Sequence, residues 1–371
     1  MARDGRGDGV LRDLVERSIG DPLRARFDGL RGKTVCILGG CGQVGSHLVT
    51  RLYELGWPLE NIGINDNLSL GKRENLPPPL RDRVDTRAHQ AFARNPGRDA
   101  DLVVFVGGRS SAPHFASLDE VLDEVSAWRA VVEWCSASGS RLLLASTSSL
   151  CKTRPSVESQ PVWAGSYYEL TKLMMEAMAI TAALNDGLDV RVARLFSVYG
   201  VAEQHKGCFG NLYTQLLRHA RSGEPFELWG QAGRFKPGEQ TRDTIFAADV
   251  ARAILFLLTL PDPRPTLDDV SDLLFNIGQG RPVAALEMID QVAAQVGTRP
   301  VIDEAEFPEG IRNYVVHTWG DPTKLQDAGF APLFEDHVEN LRLIDAAISN
   351  MDGYWNAVER IRERNLATSR P

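Results

Sequence analysis

Residues 33–56 read KTVCILGGCGQVGSHLVTRLYELG, and the fold is decided by how this stretch is parsed. KTVCILGG (33–40) is an apolar strand running into glycines, and GQVGSHLVTRLYELG (42–56) has helical spacing. Gly39, Gly42 and Gly45 stand three apart across the junction. In that order they suit a tight turn, a close approach to a pyrophosphate, and close packing of helix on sheet. The first amides of the helix, at Gln43 and Val44, then face the anion. A second strand, LENIGIND (59–66), ends at Asp66, 21 residues beyond Gly45, where a carboxylate accepts both hydroxyls of a ribose. This context points to a dinucleotide site. The charge of Asp66 repels a 2′-phosphate and favours NAD, while Asn67, Lys72 and Arg73 leave NADP open.

The same alternation continues outward. DLVVFVGG (101–108), RLLLAST (141–147) and LDVRVARLF (188–196) are apolar strands without a polar face, separated by helices near 119–137 and 167–185. Strands of that kind are buried on both sides, so the expected fold is α/β, a Rossmann-like doubly wound parallel sheet. Residues 1–31 have short helical periodicity and form an expected N-terminal extension; residues 32–200 form the dinucleotide-binding and catalytic core. Residues 201–371 are expected to form mainly a smaller substrate lobe, with segments around 240–280, including the strand FNIG, returning to the core.

Composition narrows the function. Lys and Arg total 41 against 49 Asp and Glu, a net charge of −8, which argues against nucleic acid as a partner. Apolar runs such as AILFLLTL (253–260) are too short to span a membrane. Five cysteines without a CxxC pair suggest neither a disulfide framework nor a zinc site, and no metal is expected. A reducing cytoplasm is the expected compartment.

The catalytic candidates lie in SYYELTK. Tyr168 and Lys172, four residues apart, share one helical face. A nearby ammonium lowers a phenol's pKa, so that tyrosinate can take a hydroxyl proton. Thr147, at the carboxyl end of RLLLAST, is placed to hydrogen-bond the same substrate oxygen, with Ser146 and Ser148 as competitors. Tyr167 has the wrong spacing to Lys172 and is expected to pack or face substrate.

The glycine motif, DNLSLGKREN, LLLAST, Tyr168-x-x-x-Lys172, RLFSVYG, QTRD and FNIGQG follow one another in the order of the extended short-chain dehydrogenase/reductase family that acts on nucleotide-sugars. The chain resembles that family over about residues 33–335. The resemblance implies a triad of Thr147, Tyr168 and Lys172, a nucleotide-diphosphate sugar in the C-terminal lobe, and Arg242 near its diphosphate. It also implies a homodimer built on the helix bearing Trp128 and Trp134 and the helix bearing Tyr168. VYGVAEQHKG (198–207) is similar to a segment of the ADP-glycero-manno-heptose 6-epimerases, which implies an acid/base or sugar-anchoring role for Lys206 and a substrate contact for Tyr314.

The expected reaction is epimerisation by transient oxidation of a sugar hydroxyl and return of hydride. A nucleotide-sugar dehydratase or net oxidoreductase and a non-catalytic dinucleotide-binding protein are the alternatives. Several positions depart from the family pattern. Cys151 replaces a tyrosine, Ser197 an asparagine, and Val106-Gly-Gly108 an HLA-type segment. Ser148 and Ser149 stand where the dehydratases carry Asp-Glu.

Overall fold

The structure, a computed structural model, describes residues 5–230, 236–306 and 315–368. Its strands are β1 (Val35–Leu38), β2 (Ile62–Asn65), β3 (Val84–Asp85), β4 (Leu102–Phe105), β5 (Arg141–Thr147), β6 (Val190–Leu195), β7 (Ser197–Tyr199), β8 (Phe226–Trp229), β9 (Thr241–Phe246), β10 (Leu274–Ile277), β11 (Pro282–Ala284) and β12 (Ile302–Ala305). Seven of them form one parallel sheet in the order β3-β2-β1-β4-β5-β6-β10.

Successive residues of these strands enter different cores. Val35 and Ile37 pack with Leu48 and Ile254 on one face, whereas Cys36 and Leu38 pack with Trp128 and Met175 on the other. A strand covered on both sides needs apolar groups at every position, which explains its unbroken hydrophobic run. The first face carries α3 (Gln43–Glu54) and α8 (Ala247–Thr259), with α2 (Arg24–Asp28) packed on α8 and α1 (Gly5–Ile19) joining the same core from outside. The second carries α4 (His89–Arg94), α5 (Leu118–Ser138) and α6 (Tyr167–Asp186). The fold is therefore the expected doubly wound Rossmann-like sheet. Its winding reverses between β1 and β4, and ligands of such sheets bind outside the strand ends at that point.

The smaller α/β lobe contains α7 (Leu212–Ser222), α9 (Ala285–Val296), the parallel pair β8–β12 and the three-stranded sheet β11-β9-β7. FNIG supplies β10, which joins the main sheet beside β6. α10 (Thr323–Asp327) lies against β10, α11 (His337–Ser349) packs on α9 and α1, and α12 (Met351–Thr368) packs on α1 and α3. No described helix is long and apolar enough to cross a membrane.

A buried ionic knot ties the segment after α1 to the core. The carboxylate of Asp21, whose side chain is fully buried, accepts from Arg51 at 2.6 Å and from two nitrogens of Arg252 at 2.8 Å each. Arg252 also donates to Asp249 at 2.6 Å and to the Ala331 carbonyl at 2.9 Å. Burial alone would raise the pKa of Asp21; the hydrogen bond from Arg252 and the charges of Arg51 and Arg252 bring it below its ordinary value. Asp21→Asn leaves two buried guanidinium groups short of a counter-charge, and urea unfolding is expected to register a loss of about 3–5 kcal/mol at neutral pH. A carboxylate lowered in the folded state stabilises above its unfolded pKa, and that contribution disappears as pH falls through the folded value. The gap between wild type and Asp21→Asn is therefore expected to narrow in acid.

Candidate active site

The chain leaves β1 through bare backbone. Gly39 has φ +88°, and a Cβ there would lie 2.4 Å from the Cα of Gly107, just beyond β4. A Cβ on Gly45 would lie 2.1 Å from the Gly39 carbonyl oxygen. Gly42 differs: it caps α3, and its Cβ would meet only the Gly39 carbonyl, at 3.4 Å. Among the described residues nothing forbids a side chain at Gly42. Gln43 and Val44 follow and line a cavity of about 870 Å³. Gln43 is 3% exposed; its Oε1 accepts from Lys206 Nζ at 2.6 Å, and its Nε2 is buried without a hydrogen-bond partner.

Asp66 follows β2 and lies outside the cavity lining, beside the same turn. One carboxylate oxygen accepts from Cys41 N at 2.9 Å and the other from Leu68 N at 2.8 Å. Each retains a lone pair for a further donor. Asn67 is exposed, and its Oδ1 is taken by the amide and hydroxyl of Ser69.

Thr147, Tyr168 and Lys172 meet on the cavity wall. β5 is long and doubly paired, ending at Thr147 opposite Leu195. Ser166 caps α6 by accepting from Glu169 N, so Tyr168 sits in the first turn and Lys172 one turn later. Tyr168 is hydrogen-bonded to Thr147, while Lys172 Nζ donates to the Ala145 carbonyl at 3.4 Å. Burial pushes the Tyr168 phenol up to about 12, and its hydrogen bond with Thr147 only partly opposes this. The lowering expected from the spacing to Lys172 is not found: burial raises the phenol, and the charges of Glu124 and Glu169 add to it. Burial holds Lys172 below its ordinary value. Tyr167 is 41% exposed, and Ser148 lines the cavity beside Thr147.

Lys206 and Arg242 line the same cavity. Lys206 also lies 3.5 Å from Glu203, a buried carboxylate that accepts from Asn211 N at 2.9 Å and Thr214 Oγ1 at 2.6 Å at the start of α7. Arg242 Nη1 donates to the carbonyls of Thr241 and Val316, which orients the guanidinium along β9. Tyr314 lies outside the described residues. Glu203 and Arg109, both cavity-lining, went unmarked in the sequence reading. The available signal for Glu203 was its position three residues before Lys206 in VAEQHKG. Among the described residues no cluster of His, Cys, Asp or Glu is arranged to hold a metal.

Three solved structures share this architecture. The UDP-N-acetylglucosamine 4-epimerase of Methanobrevibacter ruminantium M1, in complex with UDP-N-acetylmuramic acid, is 22% identical with a TM-score of 0.74, over 86% of this chain and 100% of that one. MoeE5 in complex with UDP-glucuronic acid and NAD is 25% identical with a TM-score of 0.70, over 85% and 99%. DesIV, the dTDP-glucose 4,6-dehydratase of Streptomyces venezuelae, with NAD and TYD bound, is 19% identical with a TM-score of 0.72, over 88% and 99%. The NAD dependent epimerase/dehydratase family matches residues 35–278, from the start of β1 to just past β10. This chain belongs to the NAD dependent epimerase/dehydratase family.

Proposed function

We propose that the chain is a nucleotide-sugar epimerase that oxidises a sugar hydroxyl transiently and returns the hydride, holding NAD at the Gly39–Gly45 turn. The observation that carries this reading is the convergence of Thr147, Tyr168 and Lys172 on one cavity that Gln43 and Val44 also enter. The residues fit a dinucleotide. Gly39 and Gly45 leave no room for side chains, Gly42 is bare toward the outside, and Gln43 Nε2 is a buried donor without a partner. The α3 N-terminus favours a pyrophosphate there, and the free lone pairs of Asp66 suit ribose hydroxyls and repel the 2′-phosphate of NADP.

NAD supplies a hydride acceptor that is regenerated when the hydride returns. Tyr168 takes the proton of the sugar hydroxyl and later gives it back, while Thr147 steadies the same oxygen. Lys172 orients the nicotinamide ribose. Arg242 clamps the sugar's diphosphate as a guanidinium pairs with two oxygens. Ser148 and Lys206 hold sugar hydroxyls, the latter within reach of Gln43. Residues 32–200 then serve as the catalytic core, and the lobe beyond as the nucleotide-sugar holder.

Epimerisation is favoured over dehydration by the state of the cavity carboxylates. Glu169 accepts from Gly165 N at 2.5 Å and Lys152 at 3.0 Å, Glu203 is held as described, and Glu227 accepts from Trp229 Nε1 at 2.9 Å. None of the three is a free acid beside Tyr168. An ADP-heptose-like sugar is the substrate proposed from the 198–207 segment. A homodimer through α5 and α6 is supported by α6, whose Glu169, Lys172 and Glu176 are all buried, leaving Leu170, Met174 and Ala177 on the outer face.

Incubation with ADP-, GDP-, UDP- and dTDP-sugars in heavy water, read by NMR, is expected to yield an epimer without solvent deuterium at the inverted carbon and without accumulating NADH. Loss of water or stoichiometric NADH would replace this reading with the dehydratase or the net oxidoreductase. Tyr168→Phe is expected to lower kcat by about 10²–10⁴-fold with the fold intact by circular dichroism, the usual contribution of a positioned proton carrier. Unchanged turnover would remove Tyr168 from the mechanism. Gly45→Ala, which forces the turn off Gly39, is expected to weaken NAD binding at least about tenfold by tryptophan fluorescence titration, equivalent to about 1.4 kcal/mol.

A further inference from the structure

The segment after β7, residues 201–206 of VYGVAEQHKG, holds the glycine turn at three points. His47, one turn into α3, lies 2.9 Å through Nε2 from the Val201 carbonyl. Burial takes the His47 imidazole down to about 4, so the ring is neutral and the carbonyl accepts from its Nε2–H. Asn75 Nδ2 donates to the Cys41 carbonyl at 2.9 Å and lies 3.4 Å from His205 Nδ1. Lys206 Nζ donates to Gln43 Oε1 at 2.6 Å. Cys41, Gln43 and His47 all belong to the turn or to the helix it opens. Ala202, between these anchors, has φ +64°, a backbone state that a non-glycine residue keeps only where its surroundings impose it.

The far side of the segment is fastened to the smaller lobe. Glu203, 1% exposed, lies 3.5 Å from Lys206 Nζ and accepts from Asn211 N and Thr214 Oγ1. Asn211 caps α7 by accepting from Tyr213 N at 3.0 Å, and its Nδ2 donates to Ser197 Oγ at 2.9 Å. A continuous chain of contacts therefore runs from Gln43 through Lys206 and Glu203 to α7. At its head, Gln43 Nε2 is buried without a partner on a side chain that is 3% exposed. An amide carries its oxygen and its NH₂ in one plane, so the donor that fastens Oε1 also fixes the direction of Nε2.

We propose that residues 201–206 are a strap by which the smaller lobe grips the cofactor turn, and that Lys206 is a positioning residue for NAD, aiming the Gln43 amide at a pyrophosphate oxygen. This rests on the placement of NAD at the Gly39–Gly45 turn proposed above. It gives Lys206 a task that needs no sugar, beside the sugar hydroxyl already assigned to it. Without the ammonium, Gln43 Oε1 loses its donor, and the amide has to be oriented afresh when an anion arrives. Preorganisation removes that cost. Glu203 holds the ammonium between the two lobes, so a strap drawn onto Gln43 carries the start of α7 with it. Linkage makes the preference mutual: what favours this strap position at the cofactor end favours it at the sugar end.

The probe is NAD alone, titrated by calorimetry with no sugar present. Lys206→Met keeps the stem and removes the donor; it is expected to weaken NAD about tenfold, the worth of one hydrogen bond to a charged group. Lys206→Arg, which keeps a cationic donor, is expected to recover most of that loss. Gln43→Leu removes both ends of the amide, and in that background Lys206→Met is expected to add nothing, since a residue acting through another has no effect once the other is gone. Cys208, exposed two residues beyond Lys206 while the other four cysteines are buried, reports the strap itself. Its labelling by a maleimide is expected to slow with NAD in the wild type and much less in Lys206→Met. Unchanged NAD affinity in Lys206→Met leaves the lysine a sugar contact only and overturns the proposal. Losses that add in the double variant put the ammonium on the phosphate directly and overturn it as well, as does equal slowing of Cys208 in both proteins. If Lys206→Met does not fold by circular dichroism, Lys206→Gln carries the same expectations. A wild type that binds no NAD removes the cofactor reading itself, whereas a wild type that binds NAD and a variant that binds it equally well remove this inference alone.

Discussion

No side chain can stand where β1 and β4 end. At that crossing the Cβ of Gly39 would strike Gly107, and the Cβ of Gly45 would strike the Gly39 carbonyl. Both collisions are with backbone, which cannot swing aside as a side-chain tip can. The helix after β1 can therefore start close against the sheet only because these residues are glycines. Its first amides then point outward at the place where the winding of the sheet reverses. Gln43, the first residue of that helix, lines the cavity and accepts from Lys206.

A second feature is the bracing of the helix that carries Tyr168 and Lys172. Lys172 and Tyr168 sit on a helix whose two buried carboxylates are both paired. Glu176 is matched by Arg194, and Glu169 by Lys152. Glu124 reaches the same place from α5, with one oxygen engaged and one bare. The wall behind Tyr168 and Lys172 is therefore braced by ion pairs to neighbouring segments.

The sheet was legible in the sequence because the physics behind it is local. An apolar run without alternation means burial on both faces, and KTVCILGG, RLLLAST and LDVRVARLF each became a strand of the sheet. The spacing of Tyr168 and Lys172 on one helix was equally readable, since a helical turn is a short-range fact. What escaped notice depends on groups far apart in the chain. Nothing in the spelling of Lys206 announces Gln43, 163 residues away. Asp21 gives no sign of Arg252, and Glu124 reads as an ordinary helix-surface acid until Gly108 is seen above it. The electrostatic state of Tyr168 was misjudged for the same reason. Spacing to a lysine can be read from the sequence, but the burial and the neighbouring carboxylates that raise the phenol cannot.

The knot around Asp21 has a consequence for the order of assembly. Its partners are Arg51, close by in the chain, and Arg252, which lies 231 residues further on. α1 also rests on α12, where Arg364 reaches Glu16 at 2.8 Å. A chain emerging from a ribosome has neither docking surface for α1 until most of it has been made. Contacts this distant in sequence form late. The apolar side of α1, with Leu11, Leu14 and Val15, thus gains its cover only when α11 and α12 have been made. Until then the nascent chain carries a sticky helix, and the Rossmann core must fold without it.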